Sequence, residues 1–298
     1  VGTTGETTEA NDIGQAVAIL RAGGLVAFPT ETVYGLGANA LDESAVRRIF
    51  DAKGRPLTSP LIVHVYSIEM ACGLAAQWPE AAEKLARRFW PGPLTIIVPK
   101  SVAVPDLVTA GLPDVGLRMP AHPVALALLR AVRLPLAAPS ANRFTQLSPT
   151  TAEHVRQGLG SAVEMVLDGG PCLVGIESTV ISVAGAVPRI LRAGMISQPE
   201  IEAVIGPVET GAGAASPGQH PKHYSPRTPV VLGDSPATGR GVRLDASNMP
   251  HEASAYAARL YSALHDLDNE GYDWIAIELP PDTPAWAGIR DRLFRAAF

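Results

Sequence analysis

The stretch Gly24-Leu-Val-Ala-Phe-Pro-Thr-Glu-Thr-Val-Tyr-Gly-Leu-Gly37, followed by Lys53-Gly-Arg-Pro56, decides how this chain is read. Its first part, through Phe28, is a short apolar run that predicts a buried strand. The run passes into a hydroxyl-rich segment, Thr30 to Tyr34, and then into Gly35 and Gly37. Loops at strand ends are where open α/β sheets hold ligands, so this segment predicts a loop over a small polar molecule. The Gly35-Leu-Gly37-Ala-Asn-Ala40 pattern imitates a dinucleotide fingerprint. That fingerprint needs its first glycine directly after the strand. Here Pro29 to Tyr34 intervene, and the glycines are read as turn residues. Lys53 and Arg55 suit an anion, or equally a solvated helix end whose dipole they complement. Pro56 favours an extended Arg55.

Outward from this stretch, strand-length apolar runs alternate with helical patterns. Asp12 is expected to cap a helix ended by Gly23-Gly24, and Asp42 a second helix ended by Gly54. Strands are expected at 25–28, 61–65, 94–98, 115–119, 136–138, 163–167, 179–183 and 189–191. Further helices are expected after Pro79, from Pro123, from a capping box at Thr150-x-x-Glu153, and from Ser197-x-x-Glu200 to Ile205. Residues 206–229 are rich in proline and glycine and read as a linker. Beyond them come strands at 230–232, 242–244 and 274–279, a helix over 252–270 and a last helix over 285–297. The organisation is therefore a first α/β domain at 12–205, a linker at 206–229, and a small βαβ-like domain at 230–298. A unit so small is marginal alone and is expected to pack on the first.

Composition removes several function classes. The chain has 298 residues, 47% of them hydrophobic, and a formal net charge of -5. A chain-wide basic footprint for nucleic acid is missing. Two cysteines, Cys72 and Cys172, offer neither a disulfide framework nor a thiolate metal site and fit a reducing cytoplasm. No run of about 18 apolar residues occurs, so no membrane span is expected. The first residues lack the basic and apolar parts of a signal peptide. No Gly-x-x-x-x-Gly-Lys-Ser/Thr loop is present, which excludes a P-loop nucleotide site.

Several polar side chains stand among plain apolar neighbours. Arg118 interrupts the strand Val115-Gly-Leu-Arg-Met119, and a buried arginine needs a partner. That partner is a protein carboxylate, or a ligand carboxylate or phosphate. Arg192 in Ile190-Leu-Arg-Ala-Gly194 poses the same choice. His64 sits in a strand of apolar residues, where a lone histidine is more often a satisfied core residue than a catalyst. Ser140 and Asn142 follow a strand and also suit an ordinary turn. Ser178 and Thr179 lead into a strand, and no Gly-x-Ser-x-Gly elbow marks either Ser140 or Ser178 as a nucleophile. His220-x-x-His223 has metal-like spacing without further ligands, so no protein metal site is expected. If the strands share one sheet, Thr32, His64, Arg118, Ser140, Ser178 and Arg192 line one cation-rich cavity inside an acidic protein.

These residues resemble the YrdC-like threonylcarbamoyl-AMP synthase family, in its long two-domain form. The resemblance rests on Pro29–Gly37, Lys53-Gly-Arg-Pro56, Trp90-Pro-Gly-Pro-Leu-Thr95, Leu117-Arg-Met-Pro120, Ala138-Pro-Ser-Ala-Asn142, Ser148-Pro-Thr-Thr-Ala152, Asp168-Gly-Gly-Pro171, Glu177-Ser-Thr-Val180 and Leu191-Arg-Ala-Gly194. Pro217-Gly-Gln-His-Pro-Lys-His-Tyr-Ser-Pro226 is similar to the linker of the long form. Thr145 departs from the pattern, standing where the family usually has glycine. The resemblance implies a twisted mixed sheet with flanking helices enclosing a cavity, plus a small Rossmann-like C-terminal domain. It implies formation of L-threonylcarbamoyladenylate and pyrophosphate from L-threonine, bicarbonate or carbon dioxide, and ATP with Mg2+. The product would feed separate transferase proteins that modify tRNA. By the same resemblance Thr32, His64, Arg118 and Ser178 hold threonine. Lys53, Arg55, Ser59, Ser140, Asn142, Ser148 and Arg192 contact the nucleotide, and Tyr224 acts as part of a lid. Lys53, Arg55 and Arg118 supply positioning and charge, and no general base is assigned.

Two other classes compete with this one. A YrdC-like module can bind RNA, but the acidic balance here argues against stable tRNA binding. A carbamoyl-transfer relative, as in hydrogenase maturation proteins, carries zinc-finger and acylphosphatase-like segments that this chain lacks.

Overall fold

The computed structural model describes residues 4–211, 223–236 and 238–297. His220 and the Pro217–Lys222 part of the linker lie outside the described residues. In chain order the elements are α1 (Thr4–Arg21), β1 (Val26–Phe28), β2 (Gly35–Asn39), α2 (Glu43–Lys53), β3 (Ile62–His64), α3 (Ile68–Leu74), α4 (Glu80–Phe89), β4 (Leu94–Pro99), α5 (Asp106–Thr109), β5 (Asp114–Arg118), α6 (Pro123–Val132), β6 (Leu136–Ala137), α7 (Ala152–Leu159), β7 (Met165–Val166), β8 (Thr179–Ser182), β9 (Arg189–Arg192), α8 (Gln198–Ile205), β10 (Glu209–Thr210), β11 (Val230–Leu232), β12 (Gly241–Leu244), α9 (Ala253–Asp268), β13 (Trp274–Ile277) and α10 (Ala287–Ala296). Among the described residues β1 to β10 form one mixed sheet in the order β10-β9-β8-β4-β5-β3-β6-β2-β1-β7. The expected strands therefore do share a sheet.

Sheet register explains why distant polar residues meet. Strands β3 and β5 run parallel with His64 opposite Arg118. Strands β4 and β8 run parallel, with Leu94 opposite Thr179, and the antiparallel pair β8–β9 sets Val180 opposite Arg192. Side chains alternate faces along a strand, so this register brings His64 and Arg118 to neighbouring positions, and Arg192 close to Ser178.

The glycines after the opening loop are strand, not turn. Gly35 and Gly37 of β2 pair with Phe28 and Val26 of β1. The reason is lateral packing: a Cβ at Gly37 would stand 2.7 Å from Phe28 Cε1, so only glycine lets the Phe28 ring lie against its neighbour strand. Helix α1 also begins earlier than the Asp12 cap implies, with no proline ahead of that residue to stop the backbone bonds running back to Thr4. The cap of α7 is Thr151 rather than Thr150, because the Thr151 hydroxyl is the one that accepts from the His154 amide. Helices α3 and α5 and strand β10 add to the expected set.

Helix α2 shows how the second quoted segment is delivered. Asp42 caps it by accepting from the Ser44 and Ala45 amides, and Ala45, Val46, Ile49 and Phe50 face the core. The helix stops at Gly54, and Lys53 and Arg55 on either side are 2% and 7% exposed. That removes the solvated helix-end alternative.

The C-terminal part is a three-stranded parallel sheet, β11-β13-β12, with α9 and α10. It has no separate apolar seam from its neighbour. Val33, Leu147, Ile176 and Tyr224 share one buried cluster with Tyr256, Leu260, Tyr261, Ile289 and Leu293. At Gly288 of α10 a Cβ would meet the Gly194 backbone at 2.8 Å. The small domain gains its core by closing directly on the large one.

Candidate active site

A buried polar pocket opens where the strand ends of β3, β5 and β8 meet the Thr30–Val33 loop, the Ala138–Ser140 turn and the chain at His223 and Tyr224. Thr30 ties the loop together: its hydroxyl donates to Val33 O at 2.6 Å and lies 2.9 Å from Thr32 Oγ1. Arg118 reaches the same loop, with Nη1 donating to Thr32 Oγ1 at 2.9 Å. Its Nη2 lies 2.7 Å from Glu31 Oε1. These two atoms are close but not aligned as donor and acceptor, so an Nη2 hydrogen still lacks an acceptor among the described residues. Glu31 is fixed from its other oxygen by the Ala121 amide at 3.0 Å. Arg118 thus has a protein carboxylate as partner and keeps donor capacity toward the pocket.

His64 lines the pocket beside Arg118, and its Nδ1 has no partner among the described residues. Burial, helped by the Arg118 charge, pushes its pKa down to about 3. It is therefore a neutral ring offering nitrogen lone pairs or one N–H. Phe28 meets it edge-on at 6.0 Å.

The other end of the pocket is organised by Arg192, which is 6% exposed. It donates to both Ser178 O and Ser178 Oγ at 3.1 Å, and Ser178 Oγ lies 2.8 Å from Thr95 Oγ1. Next to it, Glu177 is held by three side chains. Ser148 Oγ donates to Oε1 at 2.5 Å, while Tyr261 OH and Arg292 Nε reach Oε2 at 3.1 and 2.6 Å. Burial alone would raise the Glu177 pKa, but Arg292 and Arg192 outweigh it and keep the carboxyl below its usual range. Arg55 lies across the pocket, with Nη2 on Pro60 O at 3.0 Å and its guanidinium 5.7 Å from the Phe144 ring. Burial, with Arg192 adding to it and Tyr224 opposing, lowers Arg55 to about 10, so it remains a cation.

Of the expected contacts, Thr32, His64, Arg118, Ser178, Arg55, Ser140, Arg192 and Tyr224 line the pocket together. Four stand behind it. Lys53 Nζ donates to Ser140 O at 2.5 Å and to Asn142 O, so it shapes the turn instead of facing the cavity. Burial and the Arg55 charge set its pKa well below the usual lysine value. Ser59 offers only its carbonyl to Arg55 Nε, at 3.5 Å. Asn142 spends its amide on Arg143 O and Gln146 O, both at 2.8 Å, and lines a neighbouring cleft. Ser148 is fully buried on Glu177. The residues missed from sequence are Glu31, Glu177, His223 and Arg292. Glu31 was legible, since it sits in the opening stretch and a buried Arg118 asks for a carboxylate.

Tyr224 is 1% exposed at φ 60°, inside the left-handed region. Its ring lies 5.2 Å from the Arg292 guanidinium carbon, and burial followed by the Glu177 charge raises its pKa. His223 meets the Phe144 ring edge-on, and burial with the Arg55 and Lys53 charges drives it down to about 2. Thr145, at φ 70°, is a β-branched residue where glycine would be unstrained. Its carbonyl accepts from the Ser225 amide at 3.0 Å, which ties that turn to the linker.

Taken together, the pocket presents several cations around two carboxylates that are themselves engaged, with hydroxyls and neutral rings between them. Such a lining suits an anionic ligand carrying additional hydrogen-bonding groups. Known proteins extend this. The family model described as "Telomere recombination" matches residues 18–194, and the one described as "Threonylcarbamoyl-AMP synthase, C-terminal domain" matches residues 196–298. The threonylcarbamoyl-AMP synthase of Bacillus subtilis is 43% identical, covering 98% of this chain and 94% of that protein. The one from Pyrococcus abyssi is 48% identical over 95% of this chain and 93% of its own length. The crystal structure of P. abyssi Sua5 complexed with L-threonine has a TM-score of 0.90 at 39% identity, covering 96% of this chain and 94% of that one. E. coli YciO, at 26% identity and a TM-score of 0.54, covers only 61% of this chain and 88% of its own. Family models over both halves of the sequence and relatives over nearly its full length agree: the chain belongs to the threonylcarbamoyl-AMP synthase family, in its two-domain form.

Proposed function

We infer that the chain is a threonylcarbamoyl-AMP synthase, an enzyme that consumes ATP and L-threonine to form an adenylate. The observation that carries this is the single buried pocket in which Arg118, Arg192 and Arg55 converge with Thr32, Ser178 and the neutral His64. We assign threonine to the Thr32–Arg118–His64 end. There the Arg118 Nη2 hydrogen without an acceptor is a natural partner for the amino-acid carboxylate. We assign the nucleotide to the Arg55, Ser140, Arg192 and Tyr224 side, where the guanidinium groups offset phosphate charge.

The chemistry then asks for positioning more than for covalent help. The threonine amine must be neutral to attack the carbon of bicarbonate or carbon dioxide. Surrounding cations favour loss of the ammonium proton. Attack on carbon dioxide releases one amine proton, and attack on bicarbonate expels water; either gives the carbamate, whose oxygen attacks the α-phosphorus of ATP as the bond to the leaving pyrophosphate breaks. Fixed guanidinium and hydroxyl groups in a buried site stabilise charge that develops on the phosphate oxygens. His64, held neutral, serves as a hydrogen-bond partner and not as a store of protons. Tyr224 walls the site off from water, which protects a hydrolysable carbamate.

Magnesium is implied by the use of ATP. The protein does not offer it a carboxylate cage: Glu31 is taken by Arg118 and the Ala121 amide, and Glu177 by Arg292, Tyr261 and Ser148. No group of three or more His, Cys, Asp or Glu suited to a metal ion occurs among the described residues. We assign the ion to the ATP phosphates.

We place the enzyme in the cytoplasm, where its adenylate would pass to separate transferase proteins acting on tRNA. Among the described residues no helix is long and apolar enough to cross a membrane. The test is pyrophosphate release with threonine, bicarbonate and ATP supplied singly and together. Release that needs all three is expected, and threonine-independent turnover of ATP would overturn the assignment.

A further inference from the structure

Helix α10 belongs to the C-terminal domain and does not line the pocket, yet its side chains and backbone hold residues that do. Arg292 is 1% exposed and directs every part of its guanidinium to a partner. Nε pairs with Glu177 Oε2 at 2.6 Å, and Nη2 donates to Glu177 O at 3.3 Å. Nη1 donates to Ala193 O at 2.9 Å and Asp291 Oδ2 at 2.7 Å. The guanidinium carbon lies over the Tyr224 ring, 5.2 Å from its centroid. One turn on, the Arg295 carbonyl accepts from the His223 amide at 3.3 Å and from Ser225 Oγ at 3.4 Å.

The consequence for the pocket follows from which atoms are fixed. Glu177 and Ser178 are consecutive, and two arginines grip them from opposite domains. Arg292 holds the Glu177 carbonyl and carboxylate, and Arg192 holds the Ser178 carbonyl and hydroxyl. Tyr224 at its left-handed φ is pinned between the Arg292 guanidinium and the backbone bonds that flank it at His223 and Ser225. Arg292 also cancels the charge of Glu177, which would otherwise face the phosphates as a buried anion.

We propose that Arg292 of helix α10 is a positioning residue for the nucleotide: through Glu177 and Tyr224, the C-terminal domain builds the phosphate side of the active site. This rests on the assignment of the nucleotide to that side of the pocket. Arg292 does not touch the Thr32–Arg118 end, so threonine binding should be indifferent to it.

The experiment measures binding of a non-hydrolysable ATP analogue and of L-threonine by calorimetry, on full-length wild-type, Arg292→Gln, Tyr261→Phe and Arg292→Gln/Glu177→Gln proteins. Arg292→Gln should weaken the analogue by at least about tenfold, the loss expected of a charge-assisted contact. Threonine affinity should stay within about twofold of the wild type, because the change is under about 0.4 kcal/mol. Adding Glu177→Gln should restore part of the analogue affinity by removing the stranded charge, which a merely structural arginine would not produce. Tyr261→Phe deletes one contact to Glu177 without a cavity and should cost a few-fold in analogue affinity. If Arg292→Gln does not fold, Tyr261→Phe decides. Wild-type analogue affinity in the folded variants overturns the proposal, as does equal loss of both ligands. If the wild-type protein binds the analogue but releases no pyrophosphate, the synthase assignment falls and the positioning role is still read from binding. If it does not bind the analogue at all, both fall.

Discussion

At the scale of single residues, the pocket is a set of charges that hold one another in place. Arg118 has two duties, one toward Glu31 and one toward the cavity. Arg118→Ala should therefore weaken threonine by about 1.5–3 kcal/mol through loss of a charge-assisted contact. It should also destabilise the fold by about 3–5 kcal/mol, because Glu31 is left buried and unpaired. Calorimetry and thermal unfolding separate the two effects, and Arg118→Ala/Glu31→Gln should recover stability without recovering affinity. Unchanged threonine affinity would take Arg118 out of the site. The histidines supply a pH signature. His64 and His223, at about 3 and 2, lie below the usual 6.5, so the unfolded chain binds protons that the folded one refuses. Stability is complete above about pH 6.5 and is lost as pH falls toward the folded values, by up to about 1.4 kcal/mol per pH unit for each histidine. Thermal unfolding at pH 7, 6 and 5 should show a falling midpoint. A flat profile would mean that both rings are solvated.

At the scale of elements, strand β2 is the instructive case. Its Gly-Leu-Gly sequence has low strand propensity, and nothing local marks it. It is a strand because β1 and β6 bond to it on both edges and because Phe28 needs a neighbour without a Cβ. Gly37→Ala should destabilise by about 1–3 kcal/mol through overpacking on the Phe28 ring, measured by urea unfolding. Phe28→Leu in the same chain should recover part of the loss, and a neutral Gly37→Ala would show that the ring is not where the strand pair puts it. The contrast with β1, β5 and α2 shows what was legible. Those elements announce themselves by apolar runs, or by the Asp42 cap with a one-sided apolar face, which are local signals. The pocket residues on or just beyond them, Arg118 in β5 and Arg55 after α2, stood out as charges among apolar or shaped neighbours. Lys53, Asn142 and Ser148 stand behind the pocket, and sequence could not separate a residue that faces the cavity from one that braces its wall. Arg292 had no signal at all. It sits on a final helix with other charges, and its partner Glu177 is 115 residues away.

At the scale of the whole molecule, the two domains meet in the same place as the chemistry, so their contact surface should be measurable as activity. The interface has an apolar part, a buried ion pair and a ring stack. His154 of α7 lies flat on His265 of α9 with centroids 3.8 Å apart, and His265 Nε2 is 3.1 Å from Ser148 O. One close point of it is Gly288 of α10 against Gly194, near the carbonyl of Ala193 that receives Arg292. A side chain at 288 has no room, since its first carbon would already stand 2.8 Å from the Gly194 backbone. That neighbour is backbone that cannot turn aside. Gly288→Val should therefore lift α10 as a unit, at a cost of about 1–3 kcal/mol typical of overpacking. Because Glu177 and Tyr224 are held from this helix, the strain should reach the nucleotide side of the pocket without altering Thr32, Arg118 or His64. The expected result is a lower unfolding midpoint and weakened binding of an ATP analogue, with threonine affinity kept. Differential scanning calorimetry adds a separate reading: the shared core predicts a single transition in the wild type, which a loosened interface should broaden or split. A Gly288→Val protein with an unchanged transition and unchanged nucleotide affinity would mean that the domains do not depend on this contact, and the second domain would then have to act somewhere other than the wall of the pocket.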